Sequence, residues 1–257
     1  MITLFDVPVS PYAQKVKLAL LEKSLTFDTK VIDLTRPTEE FRALSPRHEV
    51  PVLVDGDVKL FDSSIMLEYL EDAYPETKLL PSSAAERARV RWLEELCDTS
   101  YEAVVWGVAE VTLFQRAEGE LKQSMLARAS AQVAQLNTRL EAELAGRAWL
   151  NGDQCGFGDI VAFPHVNAAA SQGNKPVAGG RLDAWLRAMR QRPSAQRCKQ
   201  DIISTMPQFA AVPQRIAAGE AKRQYRDHRL DWIMRSGGAE IVVTGLRADN
   251  IRFSNDL

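Results

Sequence analysis

The chain has 257 residues, of which 46% are hydrophobic and 26% charged, a composition typical of a folded globular protein. Lys and Arg number 32 against 34 Asp and Glu, and the net charge of -2 argues against a broad basic surface for nucleic acid. No apolar run approaches the roughly 20 residues that a membrane-spanning helix needs. Three widely spaced cysteines without a CxxC pair, and an N-terminus without a signal-peptide pattern, predict a cytoplasmic protein without disulfides or a metal cluster.

Residues 1–75 mix strand and helix signals in the order β-α-β-α-β-β-α. Strands are predicted at 2–5, 27–32, 51–54 and 58–61, and helices at 11–23, 38–44 and 63–73. Pro11 suits the first turn of its helix, the Asp-Gly-Asp turn at 55–57 indicates a hairpin, and Asp62 or Ser63 can cap the last helix. These elements predict a small α/β domain.

A helical region follows a short linker. Residues 75–83 hold two prolines and two serines, which favour an interdomain connection. Beyond them apolar residues recur three or four positions apart, for example at Leu93, Cys97, Tyr101 and Val104, as amphipathic helices require. We therefore predict an all-helical domain over 85–220, with further helices starting near 157 and 182.

The last segment, 221–257, is charged but also rich in large apolar residues. Leu230, Trp232 and Ile233 are among them, and a disordered tail would carry fewer. The apolar run at 241–243 after a Ser-Gly-Gly break predicts a short strand, and the RDHR run at 226–229 is typical of a solvated face. We expect the whole segment to dock onto the body of the protein.

Ser10 stands between the first strand and the first helix. The N-terminus of a helix favours an anion, and a hydroxyl there can donate to a thiolate, whose pKa such a helix end lowers. A capping role alone also explains a serine at this position.

Two further features favour thiolate stabilisation by Ser10 over a capping role alone. A cis Pro51 would leave the backbone of Val50 free to pair with a peptide-like ligand. Asp62 and Ser63 begin a helix, where the backbone can receive a carboxylate and the Asp62 side chain an amine. A thiol, a peptide group, a carboxylate and an amine are together the features of glutathione.

These motifs are similar to those of a known family. The segments SPYAQKVKLALLEKSL and SPRHEVPVLVDGDVKLFDSSIMLEYLEDAYPE resemble the cytosolic glutathione S-transferase superfamily, in particular serine-type members such as the plant tau class. The resemblance covers about residues 1–205. It implies a thioredoxin-like α/β domain followed by an all-α domain, a homodimer, glutathione as co-substrate, no metal, and a small hydrophobic or aromatic electrophile.

The resemblance also implies roles for particular residues. Ser10 matches the serine that stabilises the glutathione thiolate, and Val50 before Pro51 matches the residue that pairs with the cysteinyl unit. Asp62 and Ser63 match the acidic-Ser pair that holds the γ-glutamyl end.

The glycyl end departs from the family pattern. Glu49 stands where many relatives carry Gln or Lys, and an acid would repel the glycyl carboxylate. The sequence therefore predicts that Arg36 or His48 supplies the positive charge.

The electrophile pocket is less well specified. Tyr12, Tyr101, Trp106 and His165 are its candidate residues, although core packing explains Tyr101 and Trp106 as well, and a buried structural histidine explains His165. Asp159, with Gly156 where relatives carry a capping Ser or Thr, is predicted to be structural.

The predicted function is that of a glutathione S-transferase that activates glutathione for attack on a small electrophile. A glutathione-dependent β-etherase or dehalogenase of the same fold is the enzymatic alternative. The non-enzymatic alternative is a transferase-like regulatory protein, of the kind represented by stringent-starvation-type proteins that bind RNA polymerase. Retention on immobilised glutathione discriminates a glutathione-binding enzyme from a regulator that has lost it.

Overall fold

The computed structural model describes residues 1–225 and 227–253, with the backbone alone described for 224, 225, 227, 228, 252 and 253. The N-terminal elements are β1 (Ile2–Asp6), α1 (Pro11–Glu22), β2 (Phe27–Val31), α2 (Glu39–Leu44), β3 (Val52–Asp55), β4 (Val58–Phe61) and α3 (Ser63–Ala73). The helical elements are α4 (Ala84–Leu96), a π-helical turn (Cys97–Tyr101), α5 (Glu102–Thr112), α6 (Gly119–Glu143), α7 (Phe157–Ser171), α8 (Arg181–Gln191), α9 (Pro193–Phe209) and α10 (Val212–Ala217). The final elements are β5 (Arg223–Tyr225), α11 (Asp227–Arg235), α12 (Ala239–Arg247) and β6 (Ile251–Phe253).

The N-terminal sheet has the strand order β2-β1-β3-β4. β1 and β2 are parallel, whereas β1 with β3 and β3 with β4 are antiparallel. The predicted order of elements and the α/β plus all-α fold class are confirmed, and the Asp-Gly-Asp turn joins β3 to β4 as predicted.

Helix α1 lies at the centre of the molecule and packs against α3, α7 and α9. Its apolar residues Val16 and Leu20 are fully buried, and so is the polar Lys17. Lys17 pairs with Asp6 at the end of β1 and, at 2.9 Å, with Asp201 of α9. Because a buried charge is tolerated only when it is paired, this cluster fixes the sheet against the helical domain.

The predicted linker is irregular in structure but is held in place. The Glu71 carboxylate of α3 accepts hydrogen bonds from the backbone N–H groups of Leu79 and Leu80 at 3.1 and 3.0 Å. Lys23 lies 2.7 Å from the same carboxylate. The connection between the two regions is therefore anchored to the C-terminal end of α3 and to Lys23, which follows α1.

The helical region contains one irregularity that the sequence did not indicate. Five residues, Cys97–Tyr101, form a π-helical turn between α4 and α5, a feature that occurs often at functional sites. Asp159, as expected, is structural: its buried carboxylate accepts from the N–H groups of Leu150 and Gly156 and from the indole of Trp185 at 2.7 Å. No helix in the described ranges is long and apolar enough to cross a membrane.

The C-terminal segment folds back as a small unit of its own. β5 and β6 pair in parallel, and α11 packs against α5. The predicted strand at 241–243 is wrong, because these residues lie in α12, where Ile241, Val242 and Gly245 share the buried face. The RDHR run at 226–229 lies partly outside the described residues. Within it Arg229 is largely buried and ion-paired, and so does not belong to a solvated face.

Candidate functional site

The strand register brings the separate sequence motifs to one edge of the sheet. Phe5 of β1 lies opposite Val52 of β3, which in turn lies opposite Phe61 of β4. The residues that follow β1, precede β3 and follow β4 therefore emerge together. They include Ser10, Pro51 and Asp62, and a cleft of about 190 Å³ opens beside them. Its lining residues are Tyr12, Arg47, Glu49, Val50, Pro51, Phe61, Asp62, Ser63, Ser64, Glu95, Asp98 and Thr99.

Ser10 is the N-cap of α1. Its backbone is extended, and its Oγ accepts from the N–H of Ala13 at 3.4 Å, which is long for a capping hydrogen bond. The first turn of α1 carries no acidic side chain, so no carboxylate of that turn offsets the positive end of the helix dipole. Ser10 stands beside the cleft residues in the fold but is not itself among the residues that line the cleft.

The loop before β3 is held by Ser45. Its hydroxyl donates to the carbonyl of Glu49 at 2.9 Å and accepts from the Glu49 N–H at the same distance. The Val50–Pro51 peptide bond that follows is cis, and both residues line the cleft.

Asp62 and Ser63 begin α3, and Asp62 is the N-cap. Its Oδ1 accepts from the N–H of Ser64 at 3.0 Å and of Ile65 at 3.4 Å, and its φ of 82° lies in the left-handed region. Such a backbone is uncommon outside glycine and is tolerated best by Asn and Asp. The Asp62 carboxylate is thus fixed by its own helix while still facing the cleft, and the buried Ser63 lies next to it.

The cation at this edge of the cleft is Arg47, which sequence reasoning missed. Its guanidinium lies 3.2 Å from Glu49 and 3.9 Å from Asp62, and stacks 5.5 Å from the Phe61 ring centroid. The only available signal was its place in the SPRHEVP motif, two positions before Glu49.

The two predicted cations lie elsewhere. Arg36 is largely exposed and pairs at 3.7 Å with Glu220, away from the cleft. His48 has a left-handed backbone, with φ 52°, and does not line the cleft. Of these three basic residues, Arg47 alone lines the cleft.

The far wall of the cleft is the π-helical turn, whose second residue is Asp98. Its carboxylate pairs with the buried Lys15 of α1 and lies 3.2 Å from Nε2 of His165. Burial raises the pKa of the Asp98 carboxyl, but Lys15 and His165 outweigh it and hold that pKa below its usual range. Lys15 also pairs at 2.6 Å with Glu94. The sequence did not single out Lys15 or Asp98.

Of the four residues predicted for the electrophile pocket, Tyr12 alone lines the cleft. Tyr101 is fully buried, and its hydroxyl donates to Asn137 at 2.7 Å, so it belongs to the core. His165 is also fully buried, beneath Asp98. Trp106 is half-buried under two arginines of the C-terminal segment, Arg223 and Arg229.

The lining of the cleft is acidic on balance. Four of its residues carry carboxylates, Glu49, Asp62, Glu95 and Asp98, against one guanidinium. A ligand with an ammonium group is favoured near these acids, whereas a carboxylate must approach Arg47 or the helix N-termini.

None of the three thiols is a candidate nucleophile. Cys97, Cys155 and Cys198 are free, and burial raises the pKa of each, in the case of Cys198 to about 12. A thiol with a raised pKa is a poor nucleophile at neutral pH, since the thiolate is the reactive form. Among the described residues no group of three or more His, Cys, Asp or Glu side chains could hold a metal ion.

The fold and the cleft define a class: a thioredoxin-like domain with a ligand site at one sheet edge, joined to a helical domain that closes the site. Family models confirm it. "Glutathione S-transferase, N-terminal domain" matches residues 4–78, and "Glutathione S-transferase, C-terminal domain" matches residues 103–193. The chain belongs to the glutathione S-transferase family.

Comparisons with individual proteins show similarity to members of the same family. The crystal structure of a glutathione S-transferase from Rhodospirillum rubrum is 30% identical with a TM-score of 0.69, and the match covers 77% of this chain and 91% of that one. Glutathione S-transferase 1 of Dianthus caryophyllus is 29% identical over 76% of this chain and 91% of its own length. A stringent starvation protein A homolog of Coxiella burnetii is 37% identical, but over 35% of this chain and 44% of that protein.

Proposed function

We propose that the chain binds glutathione in the cleft at the sheet edge and transfers it, as thiolate, to a small hydrophobic or aromatic electrophile. The observation that carries the proposal is the register Phe5–Val52–Phe61, because it assembles the start of α1, the cis Val50–Pro51 bond and the start of α3 around one cleft. The family to which the chain belongs supports the same general chemistry.

Each part of glutathione has a matching group. The γ-glutamyl carboxylate meets the N-terminus of α3 at Ser63, and its ammonium meets the cleft carboxylates, with Asp62 nearest. The backbone of Val50 pairs with the cysteinyl unit. The glycyl carboxylate is bound by Arg47, since a guanidinium offers two parallel hydrogen bonds to a carboxylate.

The chemical step requires no covalent enzyme intermediate. The thiol proton leaves to solvent, and the Ser10 hydroxyl and the first-turn N–H groups of α1 stabilise the thiolate that remains. The sulfur lone pair then forms a bond to the electrophilic carbon, and the electron pair of the bond that breaks departs with the leaving group. The protein contributes proximity and electrostatic stabilisation. A β-aryl ether or a halide as the leaving group corresponds to the etherase and dehalogenase alternatives.

The proposal also includes a homodimer in the cytoplasm. Three free, mostly buried thiols suit a reducing compartment. Phe61, Ile65 and Trp92 are exposed by 42%, 56% and 38%, and Arg91 of α4 pairs with Glu68 of α3 beside them. An apolar surface of this kind is suited to an interface. Sedimentation equilibrium tests this part of the proposal, which a chain that remains monomeric at micromolar concentration would contradict.

Calorimetric titration with glutathione is the primary test. Enzyme substrates commonly bind in the micromolar to millimolar range, so heat should be measurable below about 10 mM. Asp62→Asn should weaken binding, whereas Asp57→Asn in the hairpin turn provides a matched control of equal charge change. Absence of both heat and thermal shift at about 10 mM would overturn the transferase proposal.

One observation favours a second candidate, a non-catalytic regulatory protein. The acidic lining opposes the two carboxylates of glutathione, and the C-terminal segment covers Trp106. The similarity to a stringent starvation protein A homolog is consistent with such a role. A folded chain that neither binds glutathione nor is retained on immobilised glutathione would favour this candidate.

A further inference from the structure

The C-terminal segment, described over residues 221–225 and 227–253, packs through α11 against α5. Arg229 of α11 pairs with Glu102 of α5 through Nε at 2.9 Å, and both side chains are largely buried. Burial lowers the pKa of the Arg229 guanidinium, yet Glu102 outweighs it and holds that pKa above its ordinary value, with smaller contributions from Tyr12 and Glu49. Helix α11 also contacts the π-helical turn, whose Asp98 and Thr99 line the cleft, so the start of α11 lies close to the cleft.

The same segment covers the aromatic face of α5. The guanidinium of Arg223 lies 5.0 Å from the Trp106 ring centroid, and that of Arg229 lies 5.2 Å from it. Arg223 also pairs with the buried Glu110 at 2.7 Å. Arginine and aromatic rings attract most strongly when water is excluded, so these contacts hold the segment against α5 and keep Trp106 from a ligand.

A close contact between Trp232 of α11 and Gly107 of α5 holds α11 in this position. The buried ring of Trp232 rests on Gly107 of α5 so closely that a Cβ on Gly107 would lie 2.3 Å from it. The Trp232 indole donates to Gln132, and Arg128 donates to the carbonyl of Arg235 at 2.9 Å, which joins α11 to α6 as well. Glycine is unfavourable inside a helix, so its presence here is accounted for by the close approach of Trp232.

We propose that the C-terminal segment, residues 221–225 and 227–253, forms an intramolecular plug: in the docked state α11 closes the electrophile side of the cleft beside Tyr12 and Trp106, and its release admits an aromatic ligand. The plug sets which acceptors reach a thiol in the cleft. A small acceptor passes with α11 docked, whereas a bulky aromatic acceptor requires α11 to leave Gly107. The part that concerns acceptors rests on the proposed function, and the part that concerns ligand access does not.

Gly107→Ala in the full-length chain tests the plug with little risk to the body. Alanine is the better helix former, so α5 is not weakened, but its Cβ expels Trp232. We expect amides of α11 to exchange at least tenfold faster, and one molecule of 8-anilinonaphthalene-1-sulfonate to bind per chain where the parent binds none. Glutathione binding stays unchanged, while kcat/KM rises several-fold for a bulky aromatic acceptor and not for a small one.

The double variant Gly107→Ala with Trp232→Ala is the matched control. Trp232→Ala alone should release α11 and admit the dye, and adding Gly107→Ala should then change neither exchange nor dye binding, because nothing remains for the Cβ to meet. Unchanged exchange in Gly107→Ala, or faster exchange without dye binding, would overturn the plug. Dye binding in a chain that gives no heat with glutathione would leave the plug standing and remove the transferase proposal.

Discussion

The hydroxyl of Tyr12 donates a 2.7 Å hydrogen bond to the backbone carbonyl of Asp98. This bond joins the first turn of α1 to the π-helical turn, and so connects the two walls of the cleft across the domain boundary. Because the Tyr12 hydroxyl is already engaged, it is a poorer donor to a sulfur atom than Ser10, two residues earlier. We therefore expect Ser10, and not Tyr12, to supply the hydroxyl that stabilises a bound thiolate.

Ser10→Ala should lower turnover with a saturating electrophile roughly ten- to hundredfold and leave glutathione affinity nearly unchanged. A lost donor costs about 2.7–4 kcal/mol in a fully organised oxyanion site, and a single partly solvated hydroxyl should cost less. Ser10→Gly keeps most of the capping stability, which it lowers by a few tenths of a kcal/mol, and should show the same kinetic loss. Full turnover in both variants would transfer the role to a backbone N–H group.

Arg47→Ala should weaken glutathione binding about tenfold, equivalent to ~1.4 kcal/mol, because the glycyl carboxylate loses its cation. Calorimetry measures the change directly. Arg36→Ala removes an equal charge at an exposed pair with Glu220 and should have no effect. Equal losses in both variants would point to the net charge of the chain rather than to a contact in the cleft.

Tyr101→Phe should lower the free energy of unfolding by about 1–3 kcal/mol, since the buried Asn137 side chain loses its hydrogen-bond donor. Chemical denaturation measures this loss. Turnover and electrophile preference should not change, because Tyr101 lies in the core and not on the cleft. A change in electrophile preference at unchanged stability would instead return Tyr101 to the substrate pocket.

Glu22 should make stability depend on pH in the acid range. Burial raises its pKa, but hydrogen bonds from Arg192 and Ser194 outweigh it, so the folded pKa lies below the unfolded value of about 4.3. The stabilisation is therefore present above pH ~4.3 and is lost as the pH falls through the folded pKa. Solvent screens this half-buried pair, so a contribution of about 0.5–1 kcal/mol to the free energy of unfolding is expected.

Denaturation of the parent and of Glu22→Gln at pH 3–7 measures this contribution. The two curves of unfolding free energy against pH should differ at pH 6 and converge near pH 3. Parallel curves would contradict the assignment.

The N-terminal domain could be predicted from the sequence because its signals are local. Pro11 at a helix start, Asp-Gly-Asp in a hairpin and Asp62 at an N-cap each specify a backbone conformation within a few residues. The strand prediction for residues 241–243 was wrong because it also relied on a local signal. Three branched apolar residues favour a strand locally, yet Ile241 and Val242 are buried here by packing of a helix.

The cleft was predictable on the side that the strands build and not on the side that the helices build. Val50, Pro51, Asp62 and Ser63 all line it, as their motifs indicated. Asp98 lies in a π-helical turn and pairs with Lys15 of α1, and an apolar spacing of three or four residues gives no sign of such a turn. Arg47 was missed because its place in the cleft depends on contacts with Glu49, Asp62 and Phe61, which come together only when the loop before β3 folds against the end of β4.

The π-helical turn also determines the direction in which the side chains of α5 point relative to those of α4. A π turn accommodates one residue more than an α turn, and one residue of an α-helix corresponds to about 100° of rotation. Deleting a single residue between Cys97 and Tyr101 would let α4 and α5 run on as one uninterrupted helix. Gly107 and Glu102 would then point about a quarter-turn away from α11. The contacts that hold the C-terminal segment against α5 would be lost, although none of the residues that make them would have been changed. The extra residue of the π-helical turn thus sets the angle at which the N-terminal domain and α4 meet the C-terminal segment.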